Sequence, residues 1–283
     1  MPPTLDREEH VEQAFFFRTL REQSAADVAI QEVLETVREE VLSTTKLPMA
    51  VDFMGAELRS TGGFGTAMKR LSHYFTPFQT YVICEAEASR GRLDMATALL
   101  MLEREAEYRA EQATPQGVFL YQLECLCHNR LSYDRGLGAT AEDPVFDASW
   151  REWILTVRRQ IGIVELADLI YVRSQYYLIV QERAGKPLPG DETPMLFGEK
   201  EGRLAMANRE KDLLLLFSAL HRQLGYPAVP RPKRADRSSE LIPTLVRRME
   251  QLETRVKLVE EEQRGGIDLT KFYVKPDEAD DEG

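Results

Sequence analysis

Apolar residues recur along this chain at intervals of three and four, the spacing that places them on one face of an α-helix, and strand-like alternation is scarce. In the stretch 25–44, Val28, Ile30, Val33, Leu34, Val37 and Val41 keep this spacing. Ser24 followed by Asp27 resembles a capping box at its start. Thr76-Pro77-Phe78-Gln79 is a fuller helix-start signal. Thr76 can accept from a free N–H of the first turn, Pro77 presets the backbone there, and Gln79 can reach back to the cap. Thr114-Pro115 repeats the first two of these features, and Asp147 is placed to cap a helix through Trp150, Trp153, Ile154 and Val157. Pro48 suits a first turn. Gly62-Gly63, Gly91 and Gly136 with Gly138 read as breaks between helices, and Asp143-Pro144 as a turn.

The pattern predicts helices over 6–22, 25–44, 48–60, 64–75, 77–90, 93–111, 116–131, 148–160, 163–184, 199–224 and 240–264. The fold class is therefore all-α, a multi-helix body over residues 5–224. Residues 185–198 read as a loop and 225–239, with three prolines, as a basic linker. Residues 265–283 form an acidic tail whose last part, 276–283, has a disordered composition.

The segment Arg90–Leu100 resembles the turn between the two helices of a tetratricopeptide repeat. Aligning Ala96 with that family's second-helix alanine sets Glu87 where a large aromatic belongs and Glu103 where a small residue belongs, so no repeat family is assigned.

The sharpest pattern lies in 240–264. Ile242, Leu245, Met249, Leu252, Val256 and Val259 follow spacings of three and four in alternation, the seam of a coiled coil. Arg248-Met-Glu-Gln-Leu-Glu253 and Arg255-Val-Lys-Leu-Val-Glu260 both resemble the Arg-apolar-x-x-apolar-Glu pattern of short trimeric coiled coils. An arginine stem can cover such a seam while its guanidinium pairs with a glutamate on the neighbouring helix. The resemblance implies self-association with three chains favoured; a mixed aliphatic core leaves two as the alternative.

Composition narrows the function classes. Across 283 residues, 36 Lys/Arg stand against 47 Asp/Glu, a net charge of −11. Most of it lies before residue 231, which makes nucleic acid a poor partner for the body. Three cysteines (Cys84, Cys125, Cys127) do not make a disulfide framework, and the polar N-terminus and absence of a long apolar run predict a cytoplasmic protein with no membrane span.

No glycine-rich phosphate loop, dinucleotide fingerprint or nucleophile elbow is present, so no cofactor is expected. Glu124 and His128, four apart, could share a metal, but Cys125 and Cys127 point elsewhere on that helix and no second ligand pair follows; no metal site is assigned. Glu165 and Asp168 share a face of an apolar helix with Tyr171 and Arg173 nearby, and His73 sits before a helix break. These five are the candidate lining of a pocket in a small-molecule-binding or enzymatic bundle. The leading expectation is a non-enzymatic interaction or scaffold protein. Its body is multiplied by the terminal helix, and its partners are copies of itself and another protein.

Overall fold

A computed structural model describes residues 5–26, 28–88, 93–111, 113–187, 190 and 194–231. These belong to one compact unit, Met1–Pro232; a second, Lys233–Gly283, lies outside the described residues, and with it the seam at 240–264 and the acidic tail. The described residues form helices and no strand, apart from two isolated bridges. In chain order the helices are α1 (Arg7–Ala25), α2 (Ile30–Glu40), α3 (Leu47–Thr61), α4 (Phe64–Arg70), α5 (Pro77–Glu87), α6 (Met95–Ala110) and α7 (Pro115–His128). They continue with α8 (Tyr133–Ala141), α9 (Ala148–Gln160), α10 (Leu166–Tyr171), α11 (Gln175–Arg183), α12 (Glu199–Ala207) and α13 (Leu213–Leu224).

Local chemistry sets many of these boundaries. Thr76 and Gln79 form a reciprocal capping box on α5, Thr114 caps α7 and Asp147 caps α9. Pro48 lies in the first turn of α3, and Gly62 ends that helix in the left-handed conformation (φ 72°). At Asp143-Pro144 the chain turns, the Phe146 N–H bonding the Asp143 carbonyl.

Other boundaries differ from the pattern for reasons that only packing supplies. Ser24 is no cap: α1 runs on to Ala25 and α2 starts at Ile30. Gly136 and Gly138 are not breaks but interior residues of α8. At Gly136 a Cβ would stand 2.4 Å from Leu126 Cδ2, so the missing side chain is what lets α8 lie close on α7.

The stretch 163–184 is interrupted between α10 and α11. There the Arg173 carbonyl accepts the N–H groups of Leu196 and Phe197, the Phe197 carbonyl accepts from Gln175, and Ser174 caps α11. The stretch 199–224 is interrupted at 208–212, where Glu210 adopts a positive φ of 59° and Asp212 caps α13.

α1 and α6 run antiparallel along the middle of the unit. Arg7 Nε donates to the Ala110 carbonyl at one end, and Arg18 and Arg21 pair with Glu103 at the other, at 2.8 and 2.9 Å. Glu103, out of place in a tetratricopeptide repeat, is here the buried anchor for two α1 arginines. Glu87 accepts the N–H groups of Phe64 and Gly65 at 2.6 and 2.8 Å, tying the first turn of α4 to α5. One apolar core joins an aromatic group around Phe16, Phe17, Phe64 and Phe75 to a second built from Phe119, Phe146, Trp150, Trp153 and Phe197.

Residues 225–231, although rich in proline, pack against this core. Tyr226 is buried, its hydroxyl donating to Glu124 Oε2 at 2.9 Å. Arg104 and Asn129 donate to the carbonyls of Ala228 and Pro230. The packed body thus continues through Arg231.

Candidate functional site

Two regions hold unusual chemistry. The first is a surface groove of about 420 Å³ where the C-terminal half of α7, the 161–167 segment and the start of α13 converge. Its walls are mainly apolar, among them Leu123, Cys127, Tyr133, Ile163, Leu213 and Leu216, with Glu165, Asn208 and Lys211 as the polar members.

The groove opens onto a patch of large aliphatic side chains left in water. Ile163 is 82 % exposed, and Leu213, Leu214 and Leu215 are 39, 51 and 54 % exposed. Ile163 is held out by the turn at Gly162, whose φ of 83° suits glycine and reverses the chain straight after α9. The three leucines follow Asp212, so they fill the first turn of α13 on successive faces, and the residues of that helix that reach the core, Leu216, Phe217 and Leu220, come after them. Exposed apolar surface of this continuity marks binding sites more often than it marks accident.

The second region is a buried ionic cluster. Arg109 Nη2 donates to Glu105 Oε1 at 2.8 Å, and its guanidinium reaches across to both oxygens of Asp143. Gln122 Nε2 bridges the same two carboxylates at 2.7 and 3.1 Å. The side chains of Glu105, Asp143 and Gln122 are closed off from water, and that of Arg109 nearly so. Burial pushes the Glu105 carboxyl up from its ordinary value, and Arg109 opposes that rise.

Beside the cluster lies a cavity of about 120 Å³ lined by His10, His73, Thr76, Arg109, Val118 and Pro144 among others. Burial, with Arg109 adding to it, lowers His10 to about 4, so its imidazole is neutral near pH 7. Arg109 is fully engaged by two carboxylates, which makes the cluster a cross-brace between α6, α7 and the α8–α9 turn.

Of the five residues expected to line one pocket, His73 and Glu165 border one region each, and Asp168, Tyr171 and Arg173 line neither. His73 is exposed and borders the cavity at His10, while Glu165 borders the groove. Glu165 Oε2 accepts the Glu210 N–H at 2.9 Å, and Asp168 pairs with Arg209 at 2.5 Å. Arg209 also lies over the Tyr171 ring, 5.6 Å from its centre. These three residues therefore tie α10 to the 208–212 turn, and Arg173 contributes its carbonyl to Leu196 and Phe197.

Glu124 and His128 do meet on one face of α7, 3.4 Å apart, with Tyr226 as the other partner of Glu124. The Cys125 and Cys127 thiols turn toward Tyr121 and Tyr133, and burial pushes Cys127 up to about 11, leaving it a protonated thiol.

Leu213–Phe217 is an apolar run inside the helix predicted over 199–224. Four consecutive leucines after an N-cap aspartate are the signal that exposes part of such a turn, because one helical turn cannot bury all its faces. Glu105 and Arg109, four apart and interleaved with the apolar positions Leu102, Ala106 and Ala110, carried a legible hint of burial. Comparison of the chain with family models, curated proteins and solved structures finds no match. Among the described residues no helix is long and apolar enough to cross a membrane.

Proposed function

We propose that this protein is a non-enzymatic, oligomeric interaction protein whose helical body presents an apolar docking surface and is multiplied by a coiled coil at Ile242–Val259. The observation that carries the reading is the groove with its rim of exposed Ile163, Leu213, Leu214 and Leu215, which leaves water-averse surface uncovered on the body. The engagement of Glu165, Asp168 and Tyr171 by the 208–212 turn, away from the cavity that His73 borders, also supports it over a catalytic pocket.

In this reading Ile242, Met249 and Val256 with Leu245, Leu252 and Val259 form the seam. Arg248 and Arg255 pair with Glu253 and Glu260 of neighbouring chains, three chains being favoured. Joining several bodies raises the effective concentration of each docking surface without new contacts. The protein acts in the cytoplasm.

Light scattering of the full chain at micromolar concentration tests this. The expected result is an oligomer whose mass falls when Met249→Glu and Val256→Glu break the seam. A chain that is monomeric at that concentration, or whose mass the two substitutions leave unchanged, would overturn the proposal.

A further inference from the structure

We infer that the cavity beside the buried ionic cluster is a binding site for a small uncharged molecule that carries a carbonyl group on a short apolar body, the chemistry of a branched aliphatic amide. This goes beyond the interaction reading above and does not depend on it. The size of the cavity, its charge balance and its unspent polar groups each narrow the ligand.

At about 120 Å³ the cavity suits a molecule of about five or six non-hydrogen atoms, since one of about 150 Å³ takes up benzene. Ser72 and His73, which border it, are exposed, so it is reached from the surface on that side. Phe75, Val118, Pro144 and Val145 make much of its wall apolar, which suits an aliphatic group.

Arg109 is the one permanently charged side chain on that wall among the described residues. Glu105 and Asp143 are paired with it and do not line the cavity. A cationic ligand would be set against the guanidinium. An anionic one would add a third negative charge around a single buried cation. Either would leave water without a counter-charge of its own, at a cost that so small a molecule cannot recover. A neutral ligand meets neither penalty.

The polar groups on the wall then specify what a neutral ligand must offer. Arg109 makes four hydrogen bonds to the two carboxylates, through Nε, twice through Nη2 and once through Nη1. A guanidinium has five N–H groups, so one on Nη1 is unspent. Thr76 accepts the Gln79 N–H through its oxygen and keeps its own O–H to give. Both are donors, and a carbonyl oxygen is the acceptor they lack.

His10 supplies the complement. Its imidazole is neutral near pH 7, and a neutral imidazole can accept an N–H. Nδ1 has no hydrogen-bond partner among the described residues, so no bond there pins the ring. A primary amide presents the carbonyl and the N–H together. Bound in this way it touches α1, the turn before α5, α6 and the turn after α8, and so stabilises the folded body.

The test exploits three probes of one shape: isobutyramide, isobutyrate and isobutyramidinium, which are neutral, negative and positive at pH 7. Against the full chain, saturation-transfer NMR titrations should give the amide a Kd of about 1–10 mM, the range open to so few atoms, and each charged analogue at least about ten-fold weaker binding. At about ten times its Kd the amide should raise the thermal midpoint by about 3–6 °C.

Ala113→Leu enlarges a side chain on the cavity wall and should weaken amide binding at least about ten-fold, with the circular dichroism spectrum retained. Val118→Leu does the same from α7 and serves if the first variant does not fold. Amide binding weaker than about 100 mM, a charged analogue that binds as tightly as the amide, or equal binding by wild type and a folded filled variant would overturn the site. None of these readouts reports the oligomeric state, so the interaction reading is tested separately.

Discussion

Replacing Arg109 by methionine should be among the most damaging single changes in the body. Arg109 is the only cation paired with Glu105 and Asp143 among the described residues, and both carboxylates are shut away from water. Methionine fills much of the arginine stem's volume, so the loss is mainly electrostatic: two buried anions remain, bridged by the Gln122 amide alone. Breaking a buried pair in this way costs about 3–5 kcal/mol, whatever the net worth of the intact pair. For a body of this size each kcal/mol shifts the midpoint by about 2–4 °C, so thermal unfolding should fall by roughly 10 °C.

Circular dichroism melts and urea titrations read this directly, and a second background isolates the cause. With Glu105→Gln and Asp143→Asn already present, the same Arg109→Met change strands no charge and should cost less than half as much. The penalty should also depend on pH. Without Arg109 the Glu105 carboxyl rises further above its unfolded value. A carboxyl raised in the folded state contributes fully below the unfolded pKa and loses that contribution as pH climbs toward the folded one, so the variant should be closest to wild type in acid. An equal cost in both backgrounds, within about 0.5 kcal/mol, would refute the view that stranded charge is the origin.

Three further outcomes follow from other contacts. His10 is lowered to about 4 in the folded protein, so the unfolded chain binds a proton first and stability should fall as pH drops from about 6.5 to 4, by up to about 3 kcal/mol; urea titrations across that range should show His10→Gln flattening the slope. The two α8 glycines should respond oppositely in thermal melts. Gly136→Ala meets Leu126 at 2.4 Å and should cost about 1–3 kcal/mol, whereas Gly138→Ala, 3.6 Å from Arg158, should stabilise the helix by about 0.5–1 kcal/mol. Tyr226→Phe removes a hydroxyl bonded to Glu124 and to the Phe217 carbonyl, and should cost about 1–2 kcal/mol by urea titration if residues 225–231 belong to the body.

The sequence by itself determined those parts of the fold whose causes lie within a few residues. The all-α class, the Thr76–Gln79 capping box, the caps at Thr114 and Asp147, the Gly62 stop and the Asp143-Pro144 turn all depend on groups that meet within a few positions along the chain. The heptad spacing at Ile242–Val259 is also written in sequence alone, and the seam proposed from it lies outside the described residues.

Tertiary structure decided whatever needed a partner distant in the chain. Gly136 looked like a break because its reason, the approach of Leu126, sits on another helix. The helix predicted over 163–184 is cut by backbone bonds to Leu196 and Phe197, about twenty residues on. Glu165 and Asp168 looked like pocket residues because spacing showed them on one face; Arg209 and the Glu210 N–H, which occupy them, arrive only when α12 ends and the chain turns back. The apolar groove is a product of that same convergence. No local pattern could place Ile163 beside Leu213, since fifty residues and three helices, α10, α11 and α12, separate them before the fold brings them to one wall.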